Sequence, residues 1–294
     1  MSTRLLDREF EYVAPNSLAD ALDLLSAYEG GVKVMAGGTD LLVKLKTGAD
    51  IPFSILLDTK DITELSFISK CEEGIEIGAL TKLCNIDRNT MLSDYHALVE
   101  AIPLMASPAV RNMGTIGGNI VNASPAADTA CPLMVYDAVL RLSSASGDRE
   151  VPISKFFTGV SKTVIKDDEM LVSIVLPRVK PDSGSCFIKK TRVKPDISKI
   201  SVTAYIERDG SAVKACRIAM GAVAPTPIEL LGVGDKAFDR VATKELFLEL
   251  AELAASIIKP IDDIRSTAEY RREISKVLVA QALETAWQRA GGTL

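Results

Sequence analysis

The hydrophobic pattern of the first half of the chain predicts short strands that alternate with short helices. Phe10 to Tyr28 begins as an extended segment and continues as a helix, with Ser17 in the N-cap position and apolar residues at helical spacing after it. Gly30-Gly31 predicts the end of this helix. Further strands are predicted at 32–35, 54–57, 65–68, 74–78, 135–142, 151–153 and 170–176, and helical stretches at 41–46, after residue 78 and at 95–112.

The pattern changes in the second half of the chain, where strands come first and helices follow. A segment rich in proline and glycine, 177–185, predicts a boundary. After it, strands are predicted at 185–192, 199–207 and 212–223, and two or three helices from 241 to the end. The last helix, Thr267 to Arg289, ends before Gly291-Gly292. Strands followed by helices predict a second domain of the α+β class.

Composition excludes several classes of function. The 294 residues are 47% hydrophobic and 25% charged, which is typical of a globular protein. A net charge of −5 argues against a nucleic-acid partner and against an anionic membrane surface. No apolar run approaches the roughly 20 residues that span a bilayer, and the first ten residues contain no signal-like apolar core. We therefore expect a cytoplasmic protein without a membrane span.

Histidine and cysteine usage narrows the chemistry further. The chain has a single histidine, His96, which disfavours a catalytic triad and a multi-histidine metal site. The five cysteines are widely spaced and form no Cys-x-x-Cys motif, so we expect reduced thiols and neither an iron–sulfur nor a zinc site. We therefore expect no metal site in this chain, and hydrolase and metalloenzyme functions are disfavoured.

A pair of adjacent glycines follows the strand predicted at 32–35, in the segment Ala36-Gly37-Gly38-Thr39-Asp40. Glycines adopt backbone angles that other residues avoid, and they leave room for a ligand. Successive N–H groups then point into one concavity, which favours a bound anion such as phosphate. The Thr39 hydroxyl adds a further donor. An ordinary tight turn is the alternative for this segment taken alone.

A second pair of glycines lies in Thr115-Ile116-Gly117-Gly118-Asn119, again flanked by threonine and a polar side chain. Neither loop has a lysine cluster beside it, so on this acidic chain we expect backbone amides to make most phosphate contacts. The spacings of the P-loop and of the Rossmann glycine motif are absent, which disfavours both sites. Downstream, Ser124 and Asp128 offer partners for ligand hydroxyls, because a carboxylate suits ribose or ribityl better than phosphate. Helix capping is the alternative for Asp128.

These motifs resemble a known family. Met35 to Leu41, together with Arg111 to Asp128, is similar to the FAD-binding medium subunit of the molybdenum hydroxylases, the family of xanthine dehydrogenase and carbon monoxide dehydrogenase. The resemblance extends nearly end to end, because further matching segments occur in the family's order at 10–18, 168–177, 221–228 and 266–272.

The resemblance implies an α+β fold in two parts. Residues 1–177 would form a two-lobed FAD-binding domain of the vanillyl-alcohol-oxidase (PCMH) type, and 183–290 a smaller α+β C-terminal domain with an antiparallel sheet and helices. The family's lysine before an Asp-Ile pair, here Asp196-Ile197, corresponds to Lys189 if the intervening loop is one residue shorter. The implied FAD-binding residues are Val34, Met35, Ala36, Gly37, Gly38, Thr39, Asp40, Leu41, Ala106, Thr115, Ile116, Gly117, Gly118, Asn119, Ser124, Asp128, Leu171 and Lys189.

The resemblance also implies partners. The chain would be an FAD-dependent oxidoreductase subunit that takes electrons from iron–sulfur clusters on a small subunit, with the molybdenum cofactor on a large subunit, and passes them to NAD or another acceptor. The cationic cluster Lys189, Lys190, Arg192 and Lys194 would either be a solvated loop or place positive charge beside the flavin. A self-contained FAD-dependent oxidoreductase of the same fold and a non-catalytic scaffold are the alternatives.

Overall fold

The computed structural model describes residues 9–28, 30–193 and 195–294. The strands in chain order are β1 Glu11–Val13, β2 Val32–Met35, β3 Ile55–Asp58, β4 Ile68–Lys70, β5 Gly74–Gly78, β6 Val139–Ser144, β7 Gly147–Pro152, β8 Phe157–Gly159, β9 Lys162–Thr163, β10 Met170–Pro177, β11 Ser183–Lys190, β12 Ile200–Asp209, β13 Ala212–Gly221 and β14 Ile228–Glu229. The α-helices are α1 Leu18–Ala27, α2 Leu41–Lys46, α3 Leu83–Asp87, α4 His96–Ala101, α5 Pro108–Arg111, α6 Ile116–Val121, α7 Ala130–Val135, α8 Lys244–Ile257 and α9 Ala268–Arg289. Short 3₁₀ turns lie at Thr63–Leu65, Thr90–Leu92, Ile102–Leu104, Ile153–Lys155 and Gly234–Ala237.

The first lobe is built on a small parallel sheet in the order β1-β3-β2, which leaves β2 at an edge. Helix α1 begins at Ser17, whose hydroxyl accepts a hydrogen bond from the N–H of Asp20. Its buried face packs Leu22 and Leu25 against Leu57 of β3. The first glycine loop therefore emerges directly from an edge strand.

The second lobe is an antiparallel sheet in the order β4-β5-β10-β6-β7. Alternating residues of these strands, among them Ile77, Leu140 and Ile174, are fully buried in the largest apolar cluster. Helices α4, α6 and α7 add residues to the same cluster. The central strand β10 is buried at six of its eight positions, so this sheet is covered on both faces there.

The C-terminal part is an antiparallel sheet in the order β11-β12-β13-β14, covered by α8 and α9. Thr267 caps α9 by accepting a hydrogen bond from the N–H of Tyr270. Strand β10 ends at Pro177 and β11 begins at Ser183. The domain limits 1–177 and 183–290 stay a prediction.

The α+β class, the antiparallel C-terminal sheet and the helices after it are confirmed. Some local predictions were wrong. The segment 115–119 is the beginning of helix α6 rather than a loop, because the Thr115 hydroxyl caps it by accepting from the N–H of Gly118. Residues 135–142 begin as the end of α7, and Asp137 at φ +55° reverses the chain before β6 starts. In 65–68 the strand begins only at Ile68.

Candidate functional site

A cleft of about 760 Å³ brings the two glycine segments together. Its size is that of a site for a nucleotide-containing cofactor. Ile116 does not line it, because its side chain is fully buried in the core. The other residues expected at the site line this cleft, namely Val34, Met35, Ala36, Gly37, Gly38, Thr39, Asp40, Leu41, Ala106, Thr115, Gly117, Gly118, Asn119, Ser124, Asp128, Leu171 and Lys189.

The first glycine loop presents a row of free donors to the cleft. Among the described residues, the consecutive backbone N–H groups from Gly37 to Leu41 donate to no acceptor. Gly38 adopts φ +71°, a backbone conformation in which a side chain is strained. Consecutive unpaired amides in such a turn form a concave site for an anion.

Gly37 has a packing role as well. A Cβ at this position would lie 2.0 Å from the carbonyl oxygen of Met113, so the loop rests on the backbone that precedes α6. A Cβ on Gly118 would lie 3.7 Å from the Cβ of Ala36, which places the two glycine segments in direct contact. The two motifs therefore form one wall of the cleft.

The second glycine segment differs from the first in its hydrogen bonds. The amides of Ile116 and Gly117 donate to the carbonyls of Thr81 and Ala79, at 3.1 and 2.9 Å. The amides of Gly118 and Asn119 donate to the side chain and carbonyl of Thr115. A Cβ on Gly117 would lie 2.6 Å from the Ala79 carbonyl oxygen. This segment is therefore a close-packed support, and the first loop supplies the unpaired amides.

Asp128 and Lys189 form a buried ion pair at one end of the cleft. The Lys189 Nζ lies 2.6 Å from Asp128 Oδ2 and donates to the Leu104 carbonyl at 3.1 Å. The Ser198 hydroxyl donates to the other carboxylate oxygen at 2.8 Å. Burial raises the pKa of Asp128, against the opposing effects of Lys189 and Ser198. The pair joins the loop before α7 to strand β11.

Ala106 lines the same end of the cleft in an unusual conformation, with φ +40°. The Arg111 guanidinium holds this turn by donating to the carbonyls of Met105 and Ala106 at 2.6 and 2.8 Å. Leu171 also lines the cleft, in β10, beside a register shift in the pairing of this strand with β6.

Smaller polar groups complete the wall. The Ser124 hydroxyl accepts from the Ala126 amide, and Asn119 Oδ1 accepts from the Thr129 hydroxyl at 2.6 Å. Asp196 and Ile197 line the cleft near Lys189, and Asp196 is paired with Arg192. Lys194 lies outside the described residues.

Sequence reasoning missed two lysines. Lys33 and Lys44 line the cleft beside the first glycine loop, where the absence of a lysine cluster had been expected. Lys33 lies in β2 and Lys44 in α2, the elements immediately before and after the first glycine loop. This proximity in sequence was the signal that could have identified them. Both side chains are only partly exposed.

Neither metal-ligand clusters nor membrane-spanning helices occur in the described part of the chain. Within 9–28, 30–193 and 195–294, no group of three or more histidine, cysteine, aspartate or glutamate side chains is placed to hold a metal ion. No helix in the same ranges combines the length and the apolar character needed to cross a membrane.

Comparison with known proteins decides the family. Residues 8–179 match the FAD binding domain in molybdopterin dehydrogenase. Residues 185–286 match the CO dehydrogenase flavoprotein C-terminal domain. The chain belongs to the family of FAD-binding medium subunits of the molybdenum hydroxylases.

Individual medium subunits are similar in sequence to this chain over nearly its whole length. The carbon monoxide dehydrogenase medium chain of Hydrogenophaga pseudoflava is 31% identical, with 97% of this chain and 99% of that protein covered. The glyceraldehyde dehydrogenase medium chain of Sulfolobus acidocaldarius is 32% identical, with 94% and 98% covered. Carbon monoxide dehydrogenase from Hydrogenophaga pseudoflava has a chain of the same structure, with a TM-score of 0.92 at 31% identity, covering 96% of this chain and 98% of that one.

FAD is the cofactor of this family, and the cleft fits it. The unpaired amides from Gly37 to Leu41 suit its diphosphate. The volume of the cleft suits a dinucleotide.

Proposed function

We propose that this chain is the FAD-binding electron-transfer subunit of a multi-subunit molybdenum hydroxylase of the cytoplasm. It would take electrons from iron–sulfur clusters on a small subunit and pass them to NAD or another acceptor, with the molybdenum cofactor on a large subunit. The observation that carries the proposal is the run of unpaired amides from Gly37 to Leu41, at the wall of a dinucleotide-sized cleft. Relatives named as medium chains support the placement in a larger complex.

The diphosphate of FAD would bind at the first glycine loop. Backbone N–H groups are fixed donors, so they bind an anion without ordering a flexible side chain. The close packing of Gly37 on Met113 and of Gly117 on Ala79 holds these donors in place. Helix α6 then acts as the support against which the loop is built.

The flavin ring would lie at the end of the cleft formed by Ala106, Leu171 and Lys189. Asp128 and Ser124 would bind hydroxyl groups of the cofactor chain, in addition to the hydrogen bonds that the Asp128 carboxylate accepts from Lys189 and Ser198. Bound FAD supplies the redox chemistry, because flavin accepts electrons singly and releases them in pairs. The chain itself binds and orients the cofactor, and its charges set the redox potential.

Titration of the purified apo-protein with FAD tests the first part of the proposal. We expect quenching of flavin fluorescence with one FAD bound per chain, and absorbance bands of a bound flavin. A protein that takes up no FAD under these conditions would contradict the proposed function.

Reconstitution with candidate partner subunits tests the second part. We expect substrate to reduce the bound flavin only when the iron–sulfur and molybdenum subunits are both present. Turnover of a small molecule by the isolated chain, without partners, would instead support a self-contained FAD-dependent oxidoreductase.

A further inference from the structure

Lys33 occupies an unusual place for a lysine. Side chains alternate along β2, so Lys33 lies on the same face of the sheet as Met35. Met35 packs in a cluster with Phe53 and Leu56, and Leu41 and Leu45 of α2 pack against that cluster. The stem of Lys33 therefore lies on the face of the sheet against which α2 packs.

Lys44 approaches the same region from α2. Its Nζ donates to Asn122 Oδ1 at 2.7 Å, and Asn122 is the residue that ends helix α6. Lys44 thus reaches from the helix after the first glycine loop to the helix that contains the second glycine pair. Lys33 and Lys44, which we call the lysine pair, line the cleft together with Gly37 to Leu41.

The lysine pair differs from Lys166 and Lys189, which line the cleft beside carboxylates. Lys189 is neutralised by Asp128 at 2.6 Å, and Lys166 lies 3.9 Å from Glu169. Lys162 lines the cleft from β9, outside the two elements that flank the first glycine loop. Among the residues that the structure describes, no carboxylate forms an ion pair with Lys33 or Lys44. The Nζ of Lys33 has no hydrogen-bond partner within those same residues, and only its backbone is paired, with β3.

Two neighbouring ammonium groups without a counter-charge repel each other and lose solvation. Burial lowers the pKa of Lys33, and the charge of Lys44 lowers it further. An anion between the lysines and the unpaired amides removes both penalties at once. A diphosphate carries the charge that matches two lysines, and its oxygens accept hydrogen bonds from amides and ammonium groups together.

We propose that the lysine pair is a cationic wall that binds the diphosphate of the cofactor, beside the amides of Gly37 to Leu41. The inference rests on the proposed function, because it assumes that FAD binds in this cleft. The amides orient the diphosphate, and the lysines neutralise its charge. The recognised ligand class is therefore a diphosphate ester, and flavins that lack the diphosphate do not engage this wall.

Titration of full-length apo-protein variants with FAD and with riboflavin tests the wall. Lys33→Met and Lys44→Met keep the length of the side chain and remove its charge. Lys46→Met is the matched control, because Lys46 lies on the same helix, is exposed and does not line the cleft. We expect the dissociation constant of FAD to rise at least about tenfold in each lysine-pair variant, which corresponds to about 1.4 kcal/mol. We expect it to stay within about twofold in the control.

Two further readouts separate charge recognition from a change in fold. Raising the salt concentration should weaken FAD binding less in Lys33→Met and Lys44→Met than in the wild type, because a charged contact is missing. Riboflavin affinity and the thermal midpoint should stay near wild-type values in both variants.

The outcomes are distinguishable. Wild-type protein that binds no FAD removes the proposed function itself. Wild-type protein that binds FAD, with unchanged affinity in Lys33→Met and Lys44→Met, overturns only the lysine pair. An equal loss of FAD and riboflavin affinity also overturns it, because the effect then does not depend on the diphosphate. Unchanged FAD affinity with lost binding of a partner subunit overturns it in favour of an acidic protein surface.

Discussion

Gly37 shows how one residue determines both packing and binding. Its missing side chain lets the loop rest on the backbone at Met113, where a Cβ would lie 2.0 Å from a carbonyl oxygen. We expect Gly37→Ala to lower the free energy of unfolding by about 3 kcal/mol, because backbone on both sides has to move. Urea denaturation of the apo-protein measures this change.

Gly159→Ala is the matched control for that substitution. A Cβ at Gly159 would make only ordinary contacts, at 3.8 Å from the side chain of Lys162. We expect its free energy of unfolding to stay within about 0.5 kcal/mol of the wild type. Equal stability of the two variants would show that the loop does not rest on Met113 in solution.

Asp128 and Lys189 carry opposite charges at the proposed flavin end of the cleft, 2.6 Å apart. Lys189→Met removes the positive charge beside the proposed flavin position, which disfavours a reduced, anionic flavin, so we expect a lower midpoint potential of bound FAD. Asp128→Asn leaves a positive charge and is expected to raise the potential. Spectroscopic redox titration of each FAD-bound variant measures both shifts.

The opposite signs are the discriminating feature of this pair of variants. A loss of structure alone would shift both potentials in the same direction. Shifts of the same sign, or no shift in either variant, would place the ring away from this ion pair.

At the scale of elements, the sequence predicted the N-cap of α1 and the order of strands and helices in the C-terminal part, and it failed where contacts distant in sequence determine the structure. Ser17 caps α1 as predicted, because a cap depends on its own neighbours. The last helix was predicted to begin at Thr267, and this residue is its N-cap. Helix α6 was predicted as a loop, since Gly117-Gly118 is a poor helix former. Its amides are instead held by the carbonyls of Thr81 and Ala79, which are distant in sequence. Local preferences contain no information about such partners.

Prediction of the site also failed where contacts distant in sequence matter. Apart from Ile116, the residues implied by the family resemblance line the cleft. The resemblance did not distinguish the loop with unpaired amides from the helix whose amides already donate hydrogen bonds. Lys33 and Lys44 were missed because their proximity depends on how α2 packs on the β2 face, through Leu41 and Leu45. Each lysine alone resembles an ordinary surface charge.

Glu169 links β7 to the segment before β10, and this link predicts a pH dependence. Its carboxylate binds Arg149 through both oxygens, at 2.6 and 2.7 Å, and accepts from the Lys166 amide. The Arg149 guanidinium holds the pKa of Glu169 below its ordinary value of 4.5. The stabilisation is therefore complete above about pH 4.5 and is lost as the pH falls through the lower, folded-state pKa.

We expect Glu169→Gln to be less stable than the wild type by about 2 kcal/mol at neutral pH, and the difference to shrink towards about pH 3. Denaturation curves across this range measure it. Glu150→Gln is the control. Glu150 is 59% exposed, so its ion pair with Arg141 contributes little to the free energy of unfolding. A constant difference at every pH would contradict the role of the Glu169 charge.

At the scale of the molecule, the N-terminal and C-terminal parts share one apolar core. Phe187, Tyr205 and Ala219 of the C-terminal sheet belong to the cluster that fills the second lobe. Tyr136 stacks edge-on against Tyr205, with ring centres 5.9 Å apart, and its hydroxyl lies 2.5 Å from Ser185 Oγ. The same interface contains Lys189, so the cofactor cleft depends on how the two parts pack.

A shared core predicts that the two parts unfold together. Phe187→Ala removes a ring from the shared cluster, whereas Phe247→Ala removes one from the cluster between α8 and the C-terminal sheet. Each ring is at least nine-tenths buried, so each variant should lower the free energy of unfolding by about 4 kcal/mol.

The temperatures of FAD release and of helix loss, measured by flavin fluorescence and circular dichroism, distinguish two cases. If the chain unfolds as one unit, both variants lower both temperatures by equal amounts. If the parts unfold separately, Phe247→Ala lowers only the temperature of helix loss in the C-terminal part and leaves FAD release unchanged. The second result would show that packing across β11 does not couple the cofactor cleft to α8 and α9.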